Sequence, residues 1–208
     1  MYLPTQFALA DLDALQTVIA ANPFATLVTT GPEGLGGDHL PLLFEPDADG
    51  KGVLRGHIAR ANDPWRAGER DGLAIFHGPQ AYITPSWYPD KRKHGRVVPT
   101  WNYQVVHAHG RLRFIDDPAW LRRHVGALVE RFESQRATPW ALEDAPDDYI
   151  EGMCRAIVGV ELAITRLTGK HKASQHKSHE EREAIRRGLQ EEYGVDAARA
   201  ACLSGDQA

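Results

Sequence analysis

The 208 residues, 42% of them hydrophobic and 25% charged, suffice for one core of ordinary size. Lys and Arg total 24 against 28 Asp and Glu, a formal net charge of −4, which excludes a uniformly basic nucleic-acid binder but leaves room for a local phosphate-binding stripe. The longest apolar runs, such as residues 24–28 and 40–44, fall far short of the roughly 20 residues that span a bilayer. No secretory pattern is legible at Met1-Tyr2-Leu3-Pro4, and the isolated Cys154 and Cys202 make neither a disulfide framework nor a zinc site. The expectation is a cytoplasmic protein with reduced thiols and no membrane partner.

In chain order, Leu12, Leu15, Val18 and Ile19 recur at helical spacing behind Asp11 as N-cap, with Asn22-Pro23 as the stop. Residues 24–30 read as a strand, 31–34 as a turn and 39–45 as a second strand. Residues 46–52 are dense in turn formers and lead to a third strand over 53–58. Residues 60–66 read as one or two helical turns. Residues 73–76 and 81–83 read as buried strand segments broken by Gly78-Pro79, and 85–99, with the cationic run 91–96, as a long surface loop.

The clearest alternation follows: Val106, Ala108, Gly110, Leu112 and Phe114 share one face, His107, His109, Arg111 and Arg113 the other. That predicts a strand with one wet or ligand-facing side. Asp117-Pro118 opens a helix whose core face is Leu121, Val125, Leu128 and Phe132. A shorter helix is predicted from Pro146 past Ile150, Met153 and Cys154. Val158, Val160, Leu162 and Ile164 alternate as a strand leading into Gly169-Lys170. Ser178 and Glu181 form a capping-box pattern for a last helix carrying Ile185 and Leu189, after which the Ala-rich tail beyond Gly194 is expected to fray. The pattern is α+β: one domain over residues 1–190, an antiparallel sheet with appended helices, and a tail over 191–208.

Several stretches in this order carry a resemblance: Met1-Tyr2-Leu3-Pro4, His39-Leu40-Pro41, Gly56-His57-Ile58-Ala59-Arg60-Ala61-Asn62, the run from Gly78-Pro79-Gln80 through Trp87-Tyr88, and Val98-Pro99-Thr100-Trp101-Asn102-Tyr103. Together they resemble the PaiB-type family of FMN-binding negative transcriptional regulators, from the first residue to about Leu189. The resemblance implies an antiparallel split β-barrel with peripheral helices and FMN as cofactor. It further implies a homodimer with the flavin near the subunit interface, and a repressor role.

The residues themselves suit FMN, which needs cations and hydroxyl or backbone donors for its phosphate, flat side chains near the isoalloxazine, and polar groups at the ring carbonyls. His57, Arg60 and Asn62 offer donors at a strand end, with Arg60 the phosphate candidate, or alternatively an arginine held by a carboxylate such as Asp63. Tyr82, Thr84, Ser86 and Trp87 cluster aromatics and hydroxyls on a backbone that Pro85 and Pro89 keep extended. They serve equally well as the packed core of an irregular strand. Thr100, Trp101 and Asn102 repeat that chemistry, with Trp101 the stacking candidate. By resemblance His39, Lys170, Lys172, Ser174 and Gln175 join the set. In that last stretch the family usually reads Trp-Lys-Leu-Ser-Gln-Asn, whereas this chain has His171 and His176 at the first and last places, which predicts weakened flavin affinity or an altered ligand.

His107 and His109 point two imidazoles to one side, but no third ligand is apparent, and a polar sheet face is the simpler reading. No metal is predicted. DNA is a weakly supported partner, because Arg182, Arg186 and Arg187 on the last helix are offset by Glu180, Glu181, Glu183, Glu191 and Glu192, and no helix-turn-helix pattern is present. The functional alternatives are an FMN-dependent oxidoreductase, by analogy among split barrels, and a binding protein that has lost flavin.

Overall fold

The structure is a computed structural model that describes residues 1–31, 34–47, 51–62, 66, 68–93 and 95–205, with the side chains of residues 92 and 93 excepted. The expected turns at 31–34 and 46–52, the stretch 60–66 with Asp63, and the cationic run 91–96 therefore lie partly outside the described residues.

Among the described residues eight strands form one sheet in the order β3-β2-β6-β7-β8-β5-β4, with the short β1 added to β8. Strand β1 is Ala8–Leu9, β2 Phe24–Gly31, β3 Gly34–Pro41, β4 Leu43–Glu45, β5 Val53–Ala59, β6 Arg70–Ile83, β7 Thr100–Ile115 and β8 Ile157–Lys172. The pairs β2/β3, β2/β6, β4/β5, β5/β8 and β1/β8 are antiparallel. The helices are α1 Leu12–Ala21, α2 Asp90–Lys93, α3 Pro118–Glu133, α4 Asp147–Arg155, α5 His179–Tyr193 and α6 Ala197–Ser204.

Local chemistry accounts for most boundaries. Asp11 Oδ1 accepts from Ala14 N at the start of α1, Asp117 caps α3 ahead of Pro118, and Ser178 and Glu181 close the capping box of α5, which ends at Gly194 with φ 64°. Several expectations differ, among them the surface loop over 85–99, which holds a 3-10 turn at Pro85–Trp87, the helix α2 and the buried Tyr88. The second strand begins at Gly34 and is interrupted at Leu42, whose N–H turns to Pro23 O at 2.8 Å. Gly78-Pro79 does not break β6: a Cβ at Gly78 would stand 2.9 Å from Gln104 Oε1, so this glycine permits a close strand approach instead of a turn. Phe132, assigned to the core face of α3, is 47% exposed, and His124 is buried there instead. The alanine-rich tail forms α6, capped by Asp196, with Ala200 and Leu203 buried.

Contacts group the chain into two compact units. Unit 1 comprises Met1–Ala21, His77–Val106 and Thr168–Ala208, with a core of Ala81, Ile83, Tyr88, Ile185, Leu189, Ala200 and Leu203. Unit 2 comprises Asn22–Phe76 and His107–Leu167. In it α3 and α4 bury Leu121, Leu142, Ile150 and Cys154 together, and Trp120 fills the space above Gly159, where a Cβ would meet the indole at 2.4 Å.

Candidate functional site

The residues singled out from the sequence divide between the two units. Eleven of them, from Tyr82 to Gln175, fall in unit 1 and four, from His39 to Asn62, in unit 2.

In unit 1 the start of β7 and the end of β8 bring Thr100, Trp101 and Lys172 together. Lys172 Nζ donates to Thr100 Oγ1 and, at 2.8 Å, to Trp101 O. Burial, with Lys170 nearby, holds the Lys172 ammonium below the ordinary lysine range. The Trp101 indole is 55% exposed and meets the Tyr82 ring edge-on, with 6.1 Å between centroids. An open aromatic pair beside a fixed cation results.

The rest of the unit 1 set is spent internally. Asn102, fully buried, donates to Ser174 Oγ at 2.9 Å and to Leu203 O at 2.8 Å. Ser174, which takes a positive φ of 62°, returns a bond to Asn102 Oδ1. Gln175 closes its own turn, accepting from Ala173 N and donating to His171 O. Lys170 Nζ reaches Tyr2 O at 3.1 Å and lies over the Tyr2 and Tyr103 rings. Trp87 packs on Gly188 and donates to Glu192 at 2.7 Å. Thr84 Oγ1 accepts from Ser86 N, and Ser86 Oγ accepts from Lys91.

In unit 2 Arg60 forms a fork on Asp116, at 2.8 and 2.5 Å, and donates to Arg155 O and Ile157 O. The carboxylate alternative read from the sequence is thus present, with Asp116 as the carboxylate. Asn62 donates to Asp38 at 2.6 Å, and His39 stacks on Phe24 within reach of Thr26 Oγ1. His57 faces His124, a residue the sequence reading passed over. Neither His57 Nδ1 nor His124 Nε2 has a partner among the described residues. Burial lowers both pKa values, and that of His124, also repelled by His57 and Arg55, falls to about 4. The signal for His124 was available, three residues beyond Leu121 on the apolar stripe of α3. Asp116 carried none, because its pairing spans 56 residues.

Residues 1–166 match the family model described as "Putative FMN-binding domain". The chain is 30% identical to the Protease synthase and sporulation protein PAI 2 of Bacillus subtilis, over 100% of its own length and 98% of the relative's. Among solved structures it is similar to a flavocytochrome from Azotobacter vinelandii, at TM-score 0.57 and 15% identity, covering 80% of this chain and 70% of that one. It is also similar to an FAD and haem binding protein from Mycobacterium smegmatis, at TM-score 0.55 and 14% identity, covering 79% and 73% respectively. The fold is therefore α+β, an antiparallel split β-barrel of the flavin-binding type with peripheral helices.

Proposed function

The chain belongs to the FMN-binding, PaiB-type family, and from that premise we propose that it holds FMN against the open aromatic face of unit 1. The carrying observation is the exposed Trp101–Tyr82 pair beside Lys172, whose ammonium is already fixed by Thr100 and Trp101 O. The indole offers a stacking face for the isoalloxazine, and Lys172 and Thr100 offer a cation and a hydroxyl to the phosphate. When bound, the flavin supplies redox chemistry, and the protein supplies position and charge. Both structural neighbours are named for flavin or haem binding, which favours a flavin over an emptied scaffold.

The regulatory use of that flavin is supported by full-length likeness to a relative named for protease synthesis and sporulation. Direct DNA contact gains little from α5, since Arg182 donates to Gly205 O and Arg186 is paired with Glu183. We therefore read the chain as a cytoplasmic, homodimeric regulator responding to its flavin through another molecule. No helix among the described residues is long and apolar enough to cross a membrane.

The test is an absorbance and fluorescence titration with FMN, with FAD in parallel. Saturable FMN binding that weakens at least about tenfold in Trp101→Ala and Lys172→Ala supports the site. Absence of binding by the wild-type chain removes the proposal, and equal binding by both variants moves the flavin elsewhere. Oxidation of NADPH or NADH by the FMN complex would favour the oxidoreductase alternative.

A further inference from the structure

Unit 2 contains a cavity of about 480 Å³ between the first turn of α3, the last turns of α4 and the end of β5. Its size falls within the range of small-molecule sites. Leu121 and Cys154, both nearly fully buried, lie in its apolar lining with Pro118 and Ala119, and Arg60, Arg122 and Arg155 bring charge to it. We propose that this cavity binds a small apolar carboxylate, with the hydrocarbon or aromatic body against Leu121 and Cys154 and the carboxylate on Arg155 and Arg122. The inference is independent of where flavin binds.

The three arginines differ in how far their donors are used. Arg60 is the most committed: Asp116 takes the fork and two main-chain carbonyls accept from Nε and Nη2, which engages at least four of its five donors. It forms a rigid wall and neutralises the Asp116 charge. Among the described residues Arg122 donates to Asp147 alone, at 2.7 Å. Arg155 approaches Glu151 only at 3.8 Å, outside hydrogen-bonding distance, and its side chain is 69% exposed. A guanidinium has five donors, so these two retain several for an incoming acceptor. Asp116, Asp147 and Glu151 balance the arginines in formal charge. The free donors on Arg122 and Arg155 suit an acceptor-only group, and with Arg60 the lining arginines outnumber the two carboxylates that line the cavity, Asp116 and Glu151.

The apolar lining decides against inorganic phosphate as the occupant. A doubly charged, fully hydrated ion gains nothing from Leu121, Pro118 and Cys154 and loses water to reach them. A carboxylate with an apolar body satisfies both parts, burying hydrocarbon below and accepting charge-assisted bonds above.

Isothermal titration of the whole chain with sodium octanoate tests this, with 1-octanol as the uncharged probe of the same length. Saturable one-to-one binding is expected, at least about tenfold tighter for octanoate than for octanol. Arg155→Gln, at an exposed side chain, should weaken octanoate binding about tenfold, and Ala119→Trp, at an exposed position on the cavity wall, should abolish it. Circular dichroism of each variant confirms that it is folded before titration. Equal binding of octanol, insensitivity to both substitutions, or no saturable heat up to about 10 mM octanoate overturns the proposal.

Discussion

The imidazole of His124 on α3 stands edge-on to that of His57 on β5, with 5.5 Å between ring centroids, and the Trp120 indole stacks on His124 at 5.1 Å. Both rings are held neutral: burial lowers both pKa values, and that of His124 reaches about 4. In the unfolded chain each histidine titrates near its ordinary 6.5. As pH falls from about 6.5 to 4, the unfolded chain takes up a proton that the folded chain refuses, so stability declines across that window. Below about 4 both states are protonated and the loss levels off. For His124 alone the difference is on the order of 3 kcal/mol.

Urea denaturation between pH 7 and 4 checks this. A His124→Leu variant, of similar volume and without a titrating group, should show a much flatter profile. An unchanged slope would assign the pH dependence to other groups. Glu161 enters only at the acid end of this window: burial works to raise its pKa, but the bonds from Arg55 and Arg113 outweigh that and hold it below the ordinary 4.5, so its contribution is lost as pH falls below about that value.

Arg60 separates the structural from the ligand-binding roles. Its guanidinium joins β5 to Asp116 and to the carbonyls of Arg155 and Ile157. Arg60→Ala should lower the Tm and leave FMN affinity unchanged in the folded protein. Arg60→Lys should not restore the Tm, because an ammonium cannot reproduce the fork. A tenfold loss of FMN affinity in a variant with wild-type Tm would instead place the phosphate on Arg60.

These two cases show what was legible in the chain. Local signals were read well: the caps Asp11, Asp117 and Ser178, the period of β7 and the apolar stripe of α5 each depend on residues within a few positions. The motif around residues 56–62 was visible, but the partner that engages Arg60 lies 56 residues away. In sequence Gly78-Pro79 reads as a break because glycine marks both turns and close approaches, and only the presence of Gln104 opposite decides between them. Similarly, Asn102 and Ser174 carry site-like chemistry, yet their bonds to each other and to Leu203 O follow from the unpredicted helix α6.

That last network makes Asn102 a stability determinant. Replacing it with Ala removes a buried amide and orphans Leu203 O and the hydroxyl of Ser174, whose φ of 62° relies on being held. Asn102→Ala should cost about 2–3 kcal/mol and increase amide exchange throughout α6. A variant with wild-type stability and an undisturbed α6 would show that the contacts are dispensable.

Gly188, within α5, tests whether Trp87 is packed or open. In a solvent-exposed helix, replacing glycine with alanine stabilises by about 1 kcal/mol. Here a Cβ would stand 2.3 Å from Trp87 Cδ2 and Cε2, a position occupied by the indole ring. Trp87 is itself pinned by its bond to Glu192 and by the Tyr193 ring edge at 5.3 Å, so it cannot yield without losing both. Gly188→Ala should therefore destabilise the protein, and the double variant Gly188→Ala with Trp87→Leu should recover part of the helix-propensity gain relative to Trp87→Leu alone. Thermal denaturation of the four proteins in this cycle measures the coupling. A stabilising single Gly188→Ala would mean that the indole moves away freely, returning Trp87 to the set of side chains available to a ligand.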